Sequence, residues 1–201
     1  ILSAMPAANH LAAAQFWESC ESILAPEDMF RLLCHIRAIA WRGKSQSSRP
    51  VEIELIERFG IATDGMALIS EHLVPLASRL RDIRRGAIGR DPSEREALSR
   101  SFDYMTWIDL HNWMPALLLW TKVRGADAPD TLEFVRRLDR LVWMSKIAGV
   151  DPGVQETRLL RLMDEIDQRA RPAAMSRLNI EPKLRADAIS NLRSANFAAK
   201  H

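Results

Sequence analysis

The residues of this chain that could do chemistry are few and scattered. Cys34 and His35 are adjacent, so on a helix their side chains diverge and cannot close together on one metal ion. Asp109 and His111 stand two apart, which on a helix also points them away from each other, and no nucleophile elbow or serine turn accompanies them. His111 therefore reads as a capped, partly buried histidine. Neither G-x-x-x-x-G-K-[ST] nor G-x-G-x-x-G occurs, so there is no phosphate-cradling loop to assign. Glu52, Glu54 and Glu57, and likewise Asp164, Glu165 and Asp167, read as solvated helix faces. On these grounds no residue is assigned as catalytic, as a metal ligand or as a cofactor contact.

One charged constellation survives. Arg136, Arg137 and Arg140 follow helical spacing and aim several guanidinium groups the same way, which suits phosphate or carboxylate. Glu133 shares the stripe, and three arginines beside an acid fit an interdomain ion-pair surface better than a DNA contact. The overall charge agrees with the milder reading. A net charge of +2 lacks the strongly basic balance that would by itself argue for nucleic acid, although a pI near 8.8 leaves DNA as the second candidate partner.

The elements that must position these residues are all helical in pattern. No run of alternating β-branched residues bounded by turns occurs anywhere, so the expected fold class is all-α, with about eight or nine helices. The segment DLHNWMPALLLWTKVRG organises the rest, because residues 113–120 are apolar on every side of any helix they form and must lie buried among neighbours. Asn112 is placed to cap it, Pro115 falls early enough to be tolerated, and Gly125 ends it. Ahead of it the spacing predicts a helix with Leu11, Phe16, Cys20, Ile23 and Leu24 inward, and another with Met29, Leu32, Leu33, Ile36 and Ala40 inward, closed by Gly43. The serine-rich KSQSSRP reads as an exposed, mobile loop. After a short helix stopped by Gly60, Asp64 can cap a long one whose seam is Met66, Ile69, Leu73, Leu76, Leu80 and Ile83, kinked at Pro75.

Asp91-Pro92-Ser93 with Glu96 reads as a helix start, by an aspartate cap or by a capping box. Asp130 and Glu133 make a second such start, for a helix burying Phe134, Val135, Leu138, Leu141 and Val142 and closed by Gly149. Asp151-Pro152 opens a helix with Leu159, Leu162, Met163 and Ile166 inward. A last helix from Pro182 carries Leu184, Ala188, Ile189 and Leu192.

At 201 residues, 47% of them hydrophobic, the chain can bury its own core as one helical domain, 1-201, divisible into sub-halves 1-88 and 91-201. Cys20 and Cys34 are too few and isolated for a disulfide framework and read as reduced core residues. No apolar run approaches the roughly 20 residues that cross a bilayer, and no signal-peptide pattern is present, so a cytoplasmic location without a membrane partner is expected. A chain beginning at Ile1 and stopping at His201 without a closing loop signal looks like a fragment of a longer polypeptide.

Three stretches, WMPALLLWTKVRG, LEFVRRLDRLVWMSKIAGV and ETRLLRLMDEI, together resemble the helical region of GmrSD-type restriction proteins over residues 107–166. The marked positions are Trp113, Pro115, Leu138, Asp139 and Arg140, and LRSANF at 192–197 looks like the entry toward the family's nuclease domain. In that family a ParB/sulfiredoxin-like nucleotide-hydrolysing domain precedes the helices and an HNH nuclease follows them. This chain has neither the aspartate-glycine-glutamine-glutamine-arginine motif nor an HNH constellation, so no catalytic residue carries over. What the resemblance implies is a non-catalytic connector in a restriction-like defence protein, partnered by other domains of the same polypeptide and, through the parent protein, by DNA. The alternative expectation is a free-standing all-α domain that binds a small ligand or a protein in a groove between helices.

Overall fold

Proline starts helices in this chain rather than breaking them. Pro26, Pro92, Pro115, Pro152 and Pro182 each occupy the first or second position of an α-helix, where a missing amide proton costs no intrahelical bond. The computed structural model describes residues 1–43, 49–108 and 111–194, without the side chain of His111. Among these residues there are ten α-helices and no strand, which is the expected all-α class. The chain divides into two compact units, Ile1–Ala87 and Ile88–His201.

In the first unit, α1 (His10–Glu21) and α2 (Pro26–Trp41) pack with α3 (Val51–Arg58), the short α4 (Ile61–Asp64) and α5 (Val74–Arg84). α2 buries Met29, Leu32, Leu33 and Ile36 as the spacing predicts, with Ile39 rather than Ala40 extending the stripe. α1 departs from expectation. Leu11 and Phe16 are 74% and 41% exposed, and the inward face is Ala13, Cys20 and Leu24. The small side chains of Ala13 and Cys20 sit where the helix meets its neighbours, and the larger Leu11 and Phe16 fall off that line. α2 ends one residue earlier than Gly43 implied, with Arg42 taking the left-handed conformation (φ 54°). Most of KSQSSRP, residues 44–48, lies outside the described residues.

Pro75 is absorbed by a change of helix type. It can give no hydrogen bond to the carbonyl of Glu71 four residues back, and its ring would crowd that carbonyl. Leu68–Leu73 widens into a π-helical segment, with the Val74 amide bonded to Ile69, five residues earlier, before α5 resumes. From Ile69 on, the expected seam survives the change, since Ile69, Leu73, Leu76, Leu80 and Ile83 are all buried, whereas Met66 at its start is half-buried. Asp64 accepts from the amide of Met66 at 3.0 Å and so caps this run as expected.

The second unit holds α6 (Pro92–Thr106), α7 (Met114–Arg124), α8 (Thr131–Ala148), α9 (Pro152–Asp167) and α10 (Pro182–Arg193). α7 is the buried helix, with every residue from Pro115 to Thr121 inside. A 3₁₀ turn, His111–Trp113, leads into it, and α9 packs on both. Among the described residues Asn112 makes no cap, and its side-chain oxygen is buried without a partner. Asp109 and the side chain of His111 lie outside the described residues, so the reading of that pair has no structural counterpart.

At α6 the aspartate cap is the one used, Asp91 accepting from the amide of Glu94 at 2.9 Å. Asp130 does not cap α8. Its carboxylate holds the Arg124 guanidinium at 2.5 Å instead, and a charged donor outcompetes a backbone amide. Asp151 does cap α9, through the amides of Gly153 and Val154. The inward residues of α9 are those expected, but α10 buries only Leu184 and Ala188.

Candidate functional site: the exposed edge of helix α8

α8 lies against α6 along one side and α10 along another, and buries Phe134, Val135, Leu138, Leu141, Val142 and Ser145. Together with buried Thr131 these residues anchor the helix, and another edge carries Glu133, Arg136, Arg137 and Arg140. The three arginines predicted as one patch do not share one state. Arg137 is half-buried and spent within the molecule, donating to the Asn179 side-chain oxygen at 2.7 Å and pairing with Glu133 at 3.5 Å. Arg136 and Arg140 stand exposed and make no hydrogen bond or ion pair among the described residues. The free surface is therefore two guanidinium groups four residues apart, one helical turn, with Glu133 beside them.

Asp139, between them in sequence, faces inward. Burial pushes its carboxyl above the ordinary carboxylate range, with the Ser101 side chain of α6 acting in the opposite direction. One carboxylate oxygen is buried without a hydrogen-bond partner among the described residues. Asp139 is thus half-buried, unlike the exposed Arg136 and Arg140 on either side of it in sequence.

Sequence spacing gave no hint of the strap that follows α9. Arg158 donates to the carbonyl of Arg177 at 2.8 Å and to that of Asn179, drawing the 3₁₀ turns Pro172–Ala174 and Ser176–Leu178 onto the helix. Burial lowers the pKa of Arg158, with Glu181 acting in the opposite direction. Glu165 joins the same contact by accepting from the Ser176 hydroxyl at 2.5 Å and the Arg177 amide at 3.3 Å, so it is no solvated-face residue. A similar correction applies to Glu54, which is buried and paired with Arg37 at 3.3 Å. Partners some 11 to 42 residues away in sequence leave no local signal.

Three further buried polar groups come from the fold alone. Asp28, in the first turn of α2, is buried with Arg84 at 2.6 Å and Arg31 at 3.8 Å. Gln155, on the first turn of α9, is 2% exposed, and neither its amide nitrogen nor its oxygen has a hydrogen-bond partner among the described residues. The indole nitrogen of Trp113 is buried without a partner among the described residues as well.

No group of three or more histidine, cysteine, aspartate or glutamate side chains among the described residues is arranged to hold a metal ion. Cys20 and Cys34 are both free, the first buried and the second half-buried, and burial raises both thiols above their ordinary pKa. No helix of the described residues is long and apolar enough to cross a membrane. No protein-family profile matches the chain, and no curated protein sequence and no solved structure matches it either.

Proposed function

We propose that this chain is a non-catalytic helical scaffold whose α8 edge docks a neighbouring protein domain through Arg136 and Arg140. The observation that carries the reading is the contrast along one helix: Arg137 is tied down by Asn179 and Glu133, while Arg136 and Arg140 remain exposed on a rigidly packed support. A guanidinium held on a fixed backbone loses less freedom on pairing with a carboxylate than one on a mobile loop, and its fork suits bidentate contact. Glu133 in the same stripe favours a mixed-charge protein surface over a polyphosphate one. The resemblance of residues 107–166 to the helical region of GmrSD-type proteins supplies the kind of partner, namely a nucleotide-hydrolysing or nuclease module of the same polypeptide.

The test is salt response. Phosphate contacts release counterions, so a nucleic-acid surface loses affinity steeply with salt, and each arginine removed reduces the logarithmic slope by about 1. We expect the Arg136→Ala, Arg140→Ala double variant to leave DNA binding by this chain weak and unchanged, and to loosen domain association in the longer polypeptide, read as faster limited proteolysis between domains. A large loss of salt-sensitive DNA binding in the double variant would replace docking with nucleic-acid recognition.

A further inference from the structure

We propose that α10 is a releasable cover on α8, opening as a unit while the rest of its compact unit stays folded. Two polar bonds set its register. Arg137 reaches Asn179, 42 residues on, and the Asn191 side chain donates to the carbonyl of Ile147, 44 residues back, at 3.0 Å. Because the separation is nearly constant, α10 runs parallel to α8, and the same register sets Leu184 opposite Leu141 and Ala188 opposite Ser145. All four are buried. The Asn191 bond also satisfies one of the last carbonyls of α8, which lack intrahelical partners.

What holds α10 down is slight. Of its 12 residues only Leu184 and Ala188 are buried, whereas Ile189 and Leu192 stay 37% and 53% exposed. The N-terminal end has no side-chain cap, the C-terminal end has only the Ser194 hydroxyl donating to the Asn191 carbonyl at 2.8 Å, and none of Lys183, Arg185, Asp187 or Arg193 forms an ion pair among the described residues. Two buried side chains, the Asn191 bond and a partly exposed packing edge must therefore offset the entropy of ordering a whole helix. Such elements sit at the low end of local stability and open ahead of the core. α7 is the opposite case, with seven consecutive residues inside. Release of α10 uncovers the Leu141–Ser145 strip of α8, next to the exposed guanidinium of Arg140. The inference does not depend on what, if anything, Arg136 and Arg140 dock.

Hydrogen exchange of the whole chain, followed by mass spectrometry, tests it. Amides of α10 should exchange at least about 100-fold faster than those of α7 and α8. Arg137→Ala with Asn191→Ala should speed α10 about tenfold more and leave α7 unchanged. Leu184→Asp should abolish protection in α10 alone. Protection in α10 equal to that in α7, an α10 rate indifferent to loss of both clamps, or loss of protection throughout α6 to α9 in Leu184→Asp would each show that α10 is part of the cooperative core.

Discussion

Trp120 and Phe134 lie face to face, ring centroids 4.2 Å apart and planes within 4°, joining the end of α7 to the start of α8. The contact is enclosed by polar groups that depend on it. The Trp120 indole nitrogen donates to the Thr131 hydroxyl at 3.1 Å, the Arg124 guanidinium lies 5.4 Å above the Trp120 ring, and Asp130 holds Arg124 from the far side. One corner thus combines stacking, a buried hydrogen bond and an ion pair, and it fixes the angle at which α8 leaves α7.

Thr131→Val keeps the shape of this corner and removes its acceptor, stranding a buried indole N–H. We expect a loss of about 1–3 kcal/mol in chemical denaturation. For comparison, Leu117→Ala at the centre of α7 should cost about 2–5 kcal/mol, since Leu117 is fully buried. A loss below about 1 kcal/mol for Leu117→Ala would contradict the central position of that helix.

The Asp28–Arg84 pair makes a different prediction. Arg84→Met leaves a buried carboxylate with only Arg31, at 3.8 Å, nearby. That single change should cost more than the double change Asp28→Leu with Arg84→Met, because the double change removes the charge together with its partner. Urea titration of the three variants measures the difference. Additive losses would mean that the pair is not coupled.

Asp139 should give a pH-dependent signature. Its carboxyl is raised by burial, so the folded chain binds that proton more tightly than the unfolded chain does. The stabilising effect of that proton is fully present below the ordinary aspartate value and is lost as pH rises through the folded value. Asp139→Asn should therefore raise stability at neutral pH, and the gain should fade as the pH is lowered through that window. Melting curves of both proteins across the acid range check the sign, and a gain that grows with acid would refute it.

Gln155→Met is expected to stabilise. Removing a buried amide whose nitrogen and oxygen both lack partners should give a gain of up to about 1–3 kcal/mol, with volume nearly conserved. A clear loss of stability, or a lost binding activity, would mean that Gln155 has a polar partner in solution.

Helix class and burial pattern were legible from residue order because both are local. The seam Ile69, Leu73, Leu76, Leu80 and Ile83, the buried stripe of α8, and the caps at Asp64, Asp91 and Asp151 each follow from a period of 3.6 residues or from a polar side chain within three residues of an amide. Local rules failed where a longer-range partner made a better offer. Asp130 left its capping position for Arg124, Glu54 left the solvent for Arg37, and the apolar Leu11 and Ile189 remained outside because no element packs over them. The candidate surface divides along the same line. The positions of Arg136, Arg137 and Arg140 on one helix edge come from spacing alone. That Arg137 is tied to Asn179, leaving Arg136 and Arg140 exposed, was decided by a contact 42 residues distant, which only the packing of the chain after α9 against α8 could create.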